Sequence, residues 1–344
     1  MEIQKKLSDR KNDHIRINLE EDIQSGLTTG LEDFALCHSA LPEINLEDVT
    51  TACTFLGYSL SFPLIISSMT GGNVEGAKIN RYLAEAAQDQ GVALGLGSQR
   101  AMLEQPKMSS TFQVRKYAKS IPIFGNIGAV QFNYGLTFDD CIRLVDTVQA
   151  NGLIVHLNPL QEALQPEGET RFSGLLKNIE VLCKNATFPV IVKEVGWGLS
   201  KKVARQLIGA GVSALDVAGA GGTSWSQVEA NRISDKRSQR IAFEFREWGI
   251  PTAKSILQVR ETSKRIPLVA SGGIKNGIDI AKCIVLGADI CGMAGRLLKA
   301  ATISPQETID EIIEIKQQMR IAMFATSSRD IKTLISRKIT QIKA

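Results

Sequence analysis

The chain is poor in the features that mark a metal centre, a membrane span or a nucleic-acid interface. Its six cysteines (Cys37, Cys53, Cys141, Cys183, Cys283 and Cys291) include no CxxC pair. A zinc site or a dense disulfide framework is therefore not expected, and reduced thiols in a cytoplasmic protein are. No run of about 18 apolar residues occurs, so no membrane span is predicted. Met1 to Asp13 is charged and has no apolar core, which argues against a secretory signal. The net charge of +4 and the want of a dense Lys/Arg stripe interleaved with aromatics speak against nucleic acid as a partner. No GxGxxG opens the chain, as it would in many dinucleotide-binding sheets. Histidine is scarce: His14, His38 and His156 are the whole supply.

What the chain does have is rhythm. From Pro63 onward, short apolar runs alternate with helical patterns eight times: 63–69, 92–97, 122–128, 153–157, 189–195, 214–218, 268–273 and 289–295. Strands that are apolar almost throughout are covered on both faces, as parallel strands are. Eight such units predict a closed (β/α)₈ TIM barrel of the α/β class. The expected layout is an N-terminal extension (1–62), a barrel (63–325) with an insertion at 224–250, and a C-terminal helical segment (326–344). The extension reads as irregular, with a loose hairpin placed to plug one end of the barrel. A helix is predicted at 111–119, and Ile331, Leu334, Ile335, Ile339 and Ile342 predict one apolar helical face at the C-terminus. The insertion, with Trp225, Trp248 and many charges, reads as a lid or a solvated excursion.

In such barrels chemistry gathers where the strands end, and polar residues gather there in this chain. The first strand ends in Ser67, Ser68, Met69 and Thr70; the second in Ser98, Gln99 and Arg100; the third in Asn126. The fourth ends in His156 and Asn158, with Gln161 and Glu162 expected on the loop beyond, because Pro159 cannot continue a central strand. The fifth ends in Lys193 and the sixth in Gly221, Gly222 and Thr223. Lys193 shares a face with Ile191 and Val195 and so points inward. A cation there needs an anionic or electron-rich partner. Strands seven and eight end in Gly272-Gly273 and Ala294-Gly295, where glycine lets backbone N–H groups approach a phosphate. Near the N-terminus, Arg10, Lys11 and His14 read either as a solvated arm or as an anion-binding one.

Taken together, Ser8-Asp9-Arg10-Lys11 with His14, Ser68 to Gly72, Gly97 to Arg100, Gly125 to Gly128, His156-Leu157-Asn158-Pro159-Leu160-Gln161-Glu162, Val192 to Gly196, Ala218 to Thr223 and Ser271 to Gly273 resemble the type 2 isopentenyl-diphosphate isomerases. The likeness runs from about residue 8 to about residue 325. It implies a flavoenzyme of isoprenoid biosynthesis that interconverts isopentenyl and dimethylallyl diphosphate. It also implies reduced FMN, Mg²⁺, NADPH or NADH as reductant, and a homotetramer or homo-octamer. By the same resemblance, FMN would contact Ser68, Met69, Thr70, Ser98, Asn126, Lys193, Thr223, Gly272, Gly273, Ala294 and Gly295. The substrate diphosphate would meet Arg10, Lys11, Arg100, His156, Asn158 and Gln161, and Glu162 would hold Mg²⁺. Gln161, Lys193 and His156 are the catalytic candidates. Two other readings compete. An FMN-dependent oxidoreductase of the hydroxy-acid-oxidase kind needs a base, usually a late histidine, and no histidine follows residue 156. A non-catalytic flavin- or phosphate-binding barrel leaves the crowd of polar strand ends unexplained.

Overall fold

The computed structural model describes the backbone of residues 2–342 and the side chains of residues 11–342. The chain opens with helix α1 (Glu2–Glu20), then the short strand β1 (Phe34–Leu36) and the antiparallel hairpin β2 (Cys53–Phe55) and β3 (Tyr58–Leu60). The extension is thus not irregular throughout. Residues 2–20 form the helix, with Ile15 and Ile17 buried. The hairpin turns at Leu56 and Gly57, both with left-handed backbone (φ 49° and 85°). That is the twist a two-residue hairpin loop prefers.

Eight parallel strands then close on themselves: β4 (Leu64–Ile66), β5 (Ala93–Gly95), β6 (Ile123–Gly128), β7 (Gly152–Leu157), β8 (Val190–Glu194), β9 (Ala214–Asp216), β10 (Leu268–Ser271) and β11 (Ile290–Met293), with β11 pairing back onto β4. This is the expected TIM barrel. The helices of the units are α2 (Val74–Gln90), α3 (Arg100–Glu104), α4 (Phe138–Thr147), α5 (Pro159–Leu164), α6 (Leu175–Asn185), α7 (Lys201–Gly209), α8 (Trp225–Arg232), α9 (Lys236–Phe243), α10 (Thr252–Thr262), α11 (Gly277–Leu286) and α12 (Gly295–Ile303). Local signals start and stop them. Asn73 accepts from Gly76 N at the head of α2, Thr137 and Asp140 form a capping box on α4, and Gly91 closes α2 in the left-handed region.

Three expectations change. The helix at 111–119 is absent. The segment holds a 3-10 turn from Pro106 to Thr111 and further turns, with Phe112, Val114, Ala118 and Ile121 buried beneath it. Gln161 and Glu162 lie on α5 rather than on a loop, since Pro159 sits at the first helical position, where its missing N–H costs nothing. The chain ends not in one helix but in α13 (Pro305–Phe324), α14 (Ile331–Ile335) and strand β12 (Ile339–Gln341), which pairs antiparallel with β1. Ile335 and Ile342 are exposed.

The barrel interior is layered. Ile65, Ala93, Phe124, Ile154, Ile191, Ala214, Val269 and Ile290, one from each strand, form a single apolar cluster with Phe55 and Leu60 of the hairpin. The hairpin therefore does plug the barrel, at the end where the strands begin. Side chains two residues on point the same way. Adding two to each member of that layer gives Ser67, Gly95, Asn126, His156, Lys193, Asp216, Ser271 and Gly292. A polar ring thus lies directly on the apolar one.

Candidate active site

The polar ring is the floor of a cavity of about 570 Å³ at the carboxyl end of the strands. Neighbouring members of the ring touch. His156 Nδ1 lies 2.7 Å from Asn126 Oδ1, Lys193 Nζ lies 3.3 Å from Asp216 Oδ2, and Ser271 Oγ donates to Asp216 Oδ1 over 2.6 Å. Strand register produces this, for His156 pairs with Lys193 and Lys193 with Asp216 across adjacent strands. Burial, reinforced by the nearby Lys193 cation, pulls the His156 imidazole down to about 4. The ring is neutral near pH 7, its Nδ1–H donates to Asn126, and Nε2 is left as an acceptor.

Part of the lining is hydroxyl-bearing and glycine-rich. Ser68, Met69, Thr70, Ser98, Asn126, Lys193, Thr223, Gly272, Gly273, Ala294 and Gly295 all line the cavity. Ser67 Oγ, Ser68 Oγ and Thr70 Oγ1 are buried with no hydrogen-bond partner among the described residues. Buried hydroxyls of that kind call for a ligand or water. Gly272 and Gly273 have φ of 101° and 72°, and a Cβ at Gly272 would collide with the Gly219 carbonyl. Beside them α12 starts at Gly295 with no side-chain cap, so its first N–H groups are open to an anion. The loop after β8 is held by Glu194, whose Oε2 accepts from the backbone N–H of Val195, Gly196 and Trp197 at 2.7, 2.7 and 2.6 Å.

The same cavity also carries cations and amides. Lys11, Arg100, His156, Asn158, Gln161 and Glu162 line it, and Asn158 Oδ1 is another buried atom without a partner among the described residues. Asn158 Nδ2 donates to Glu162 Oε1 at 2.9 Å and to Gln161 Oε1 at 3.2 Å. Glu162 Oε2 also accepts from Gln165 and from Glu169 N. Arg100 pairs with Glu104 and Glu169, each at 2.6 Å. Lys11 Nζ donates to the carbonyls of Gly71 and Ser98. Of the expected site residues, Arg10 alone lies outside the described side chains.

Two carboxylates here escaped the sequence reading. Glu229, fully buried on α8, lies 3.1 Å from His14 Nε2, accepts from Gln161 Nε2 at 3.0 Å and pairs with Arg232 at 2.6 Å. Burial alone pushes its carboxyl up, but the His14 hydrogen bond and charge, Arg232 and Gln161 outweigh that and draw it down to about 2. Trp225, one turn earlier, meets the His14 ring edge-on at 5.1 Å. The insertion is therefore a folded helical pair that fastens α1 over the cavity, with Ile17, Ile23 and Val228 packed between them. The second is Asp216, which alternation along β9 places inward with Ala214. It was findable, because it is the one acid among eight inward positions.

A closed parallel barrel with a polar ring, a glycine-built phosphate end and an inward lysine is the architecture of an FMN-binding (β/α)₈ enzyme. The FMN-dependent dehydrogenase family matches residues 159–341. Solved structures of mandelate oxidase share the fold: one has a TM-score of 0.67 at 15% identity, covering 98% of both chains. Another, a variant with (S)-mandelic acid, has a TM-score of 0.69 at 14% identity and covers 99% of this chain and 97% of that one. The sequence relatives are much nearer. The isopentenyl-diphosphate delta-isomerase of Rickettsia felis is 52% identical over 331 residues, 96% of each chain. That of Rickettsia africae is also 52% identical, over 96% of this chain and 97% of its own. The chain belongs to the isopentenyl-diphosphate delta-isomerase family and is an isomerase.

Proposed function

We propose that the chain interconverts isopentenyl diphosphate and dimethylallyl diphosphate on reduced FMN, with flavin on the Ser68–Gly295 wall and diphosphate on the Lys11–Gln161 wall. The observation that carries this is that one cavity holds two sets of groups: unpartnered hydroxyls, open backbone N–H groups and Lys193, and beside them cations with amides. An oxidase needs only a small acid site opposite its flavin. Two phosphate-competent sets of groups fit a flavin and a diphosphate together.

Moving a double bond requires a proton to enter at one carbon and another to leave a different one. Reduced FMN, when bound, supplies an electron-rich ring and an exchangeable proton at N5. The protein's own residues do the rest. Lys193 sets positive charge beside the ring, and the apolar layer below keeps water out. Asn158, Arg100 and Lys11 bind the diphosphate, whose remote binding energy orients the alkene. Gln161, held by Glu229, reaches into the cavity near the reacting carbons. His156, neutral, offers Nε2 as an acceptor and receives a proton only from a strongly acidic donor. Glu162 would hold Mg²⁺ chiefly through the substrate phosphates. No group of three His, Cys, Asp or Glu among the described residues forms a metal cage, and Mg²⁺ commonly binds through one or two carboxylates plus phosphate oxygens. NADPH or NADH would reduce the flavin. We also propose a cytoplasmic location and assembly as a homotetramer or homo-octamer.

The hydroxy-acid-oxidase reading is weaker on a specific count. Such an enzyme needs a basic histidine over the flavin, and here His38 is exposed, His14 is engaged by Glu229 and His156 is held near 4. Anaerobic assay with isopentenyl diphosphate separates the readings. Turnover with reduced FMN and none with oxidised FMN is expected. Turnover without flavin, or net oxidation of substrate, would overturn the proposal.

A further inference from the structure

We infer that Asp216 is a positioning residue that sets how much of the Lys193 charge reaches the flavin. This rests on the flavin site proposed above. Lys193 lines the cavity, as does Ser271, whereas Asp216 does not; it stands between them in the ring. Both charged groups are buried, with about a tenth or less of either side chain exposed.

The carboxylate is fully used. Oδ1 accepts from Ser271 Oγ at 2.6 Å and from Ala218 N at 3.2 Å, and Oδ2 faces Lys193 Nζ at 3.3 Å. Ala218 lines the cavity at φ 36°, strained for a residue with a Cβ, and the Asp216 bond to its N–H helps to hold it there. Ile191, Ala214 and Val269 close the layer beneath, so no bulk water screens the pair from below. The other charged and titratable neighbours do not take over the role. His156 is neutral, and Glu194, the next residue on β8, turns its carboxylate to the backbone of 195–197.

An ammonium with a carboxylate 3.3 Å away presents a dipole rather than a full charge to anything beyond it. Reduction of FMN takes up two electrons and one proton to give an anionic ring, or a second proton to give a neutral one. Full Lys193 charge favours the anionic ring, and Asp216 tempers that preference. Ser271 adjusts it in turn by drawing carboxylate charge toward its hydroxyl.

The test is potentiometric titration of the FMN-loaded protein with dithionite under argon. Asp216→Asn keeps the shape and frees the lysine charge. Its midpoint should rise, and the ratio of reduced to oxidised FMN affinity should grow roughly tenfold. Ser271→Ala concentrates charge on the carboxylate, so its midpoint should move the other way by less. The double variant Asp216→Asn/Lys193→Met should lose the rise. A midpoint in Asp216→Asn that is unchanged or lower, while Lys193→Met shifts it, overturns the inference. If Asp216→Asn does not fold, an unchanged midpoint in Ser271→Ala overturns it. Failure of the wild-type chain to bind FMN would instead overturn the cofactor site itself.

Discussion

Gln161 on α5 donates to Glu229 on α8 across 3.0 Å, so the end of the fourth barrel strand and the insertion share one buried carboxylate. The same carboxylate holds His14 of α1. Three segments distant in sequence converge on one group, and its charge is what keeps them there.

Glu229→Gln removes that charge and leaves Arg232 buried with less compensation. Breaking a buried ion pair from one side costs about 3–5 kcal/mol. Thermal unfolding should show the loss, and hydrogen exchange in α1 should quicken well beyond that in the barrel strands. Uniform quickening would mean that Glu229 does not act through α1.

Two buried groups make stability fall with acid in separate windows, while Glu194, pushed up to about 7 by burial, works the other way across the upper one. The folded His156 sits near 4, below its unfolded value of about 6.5. The unfolded chain therefore binds the proton first, and stability present above 6.5 is lost as pH falls toward 4, by at most about 3 kcal/mol. Glu229, held near 2, contributes stability that is lost lower, between its unfolded value of about 4.5 and 2. Urea unfolding of His156→Gln should flatten the upper window and leave the lower one standing.

Gly272→Ala forces a side chain into left-handed backbone (φ 101°) against the Gly219 carbonyl. The strain is about 1–3 kcal/mol. The purified variant should carry far less FMN by absorbance, while Gly209→Ala on α7, away from the cavity and with nothing within 4 Å of a Cβ, should retain it.

Arg100→Ala removes charge-assisted hydrogen bonds worth about 1.5–3 kcal/mol each. The substrate KM should rise roughly tenfold to a hundredfold, with FMN affinity unchanged by fluorescence titration. A fall in FMN affinity instead would show that the two walls are divided differently.

The barrel and much of its mouth were legible in the sequence because both obey local rules. Strand alternation placed Lys193 inward, polar strand ends singled out Asn126 and His156, and glycines marked the ends of β10 and β11. Asp216 was passed over because the glycines that follow it drew attention to the loop. The N-terminal helix was missed because the segment is highly charged and its buried isoleucines, Ile15 and Ile17, stand two apart and pack into different clusters. Strand β12 was read as helix because its partner, β1, lies some 300 residues earlier in the chain, and spacing within a segment carries no record of such pairing. Glu229 is likewise defined by two neighbours from other segments, His14 and Gln161.

The Phe55–Leu60 hairpin makes the barrel a well with one mouth. Nothing enters from below, because the apolar layer is shut there, and α1 with α8 narrows the rim above. Every ligand therefore enters and leaves through the rim that α1 and α8 narrow.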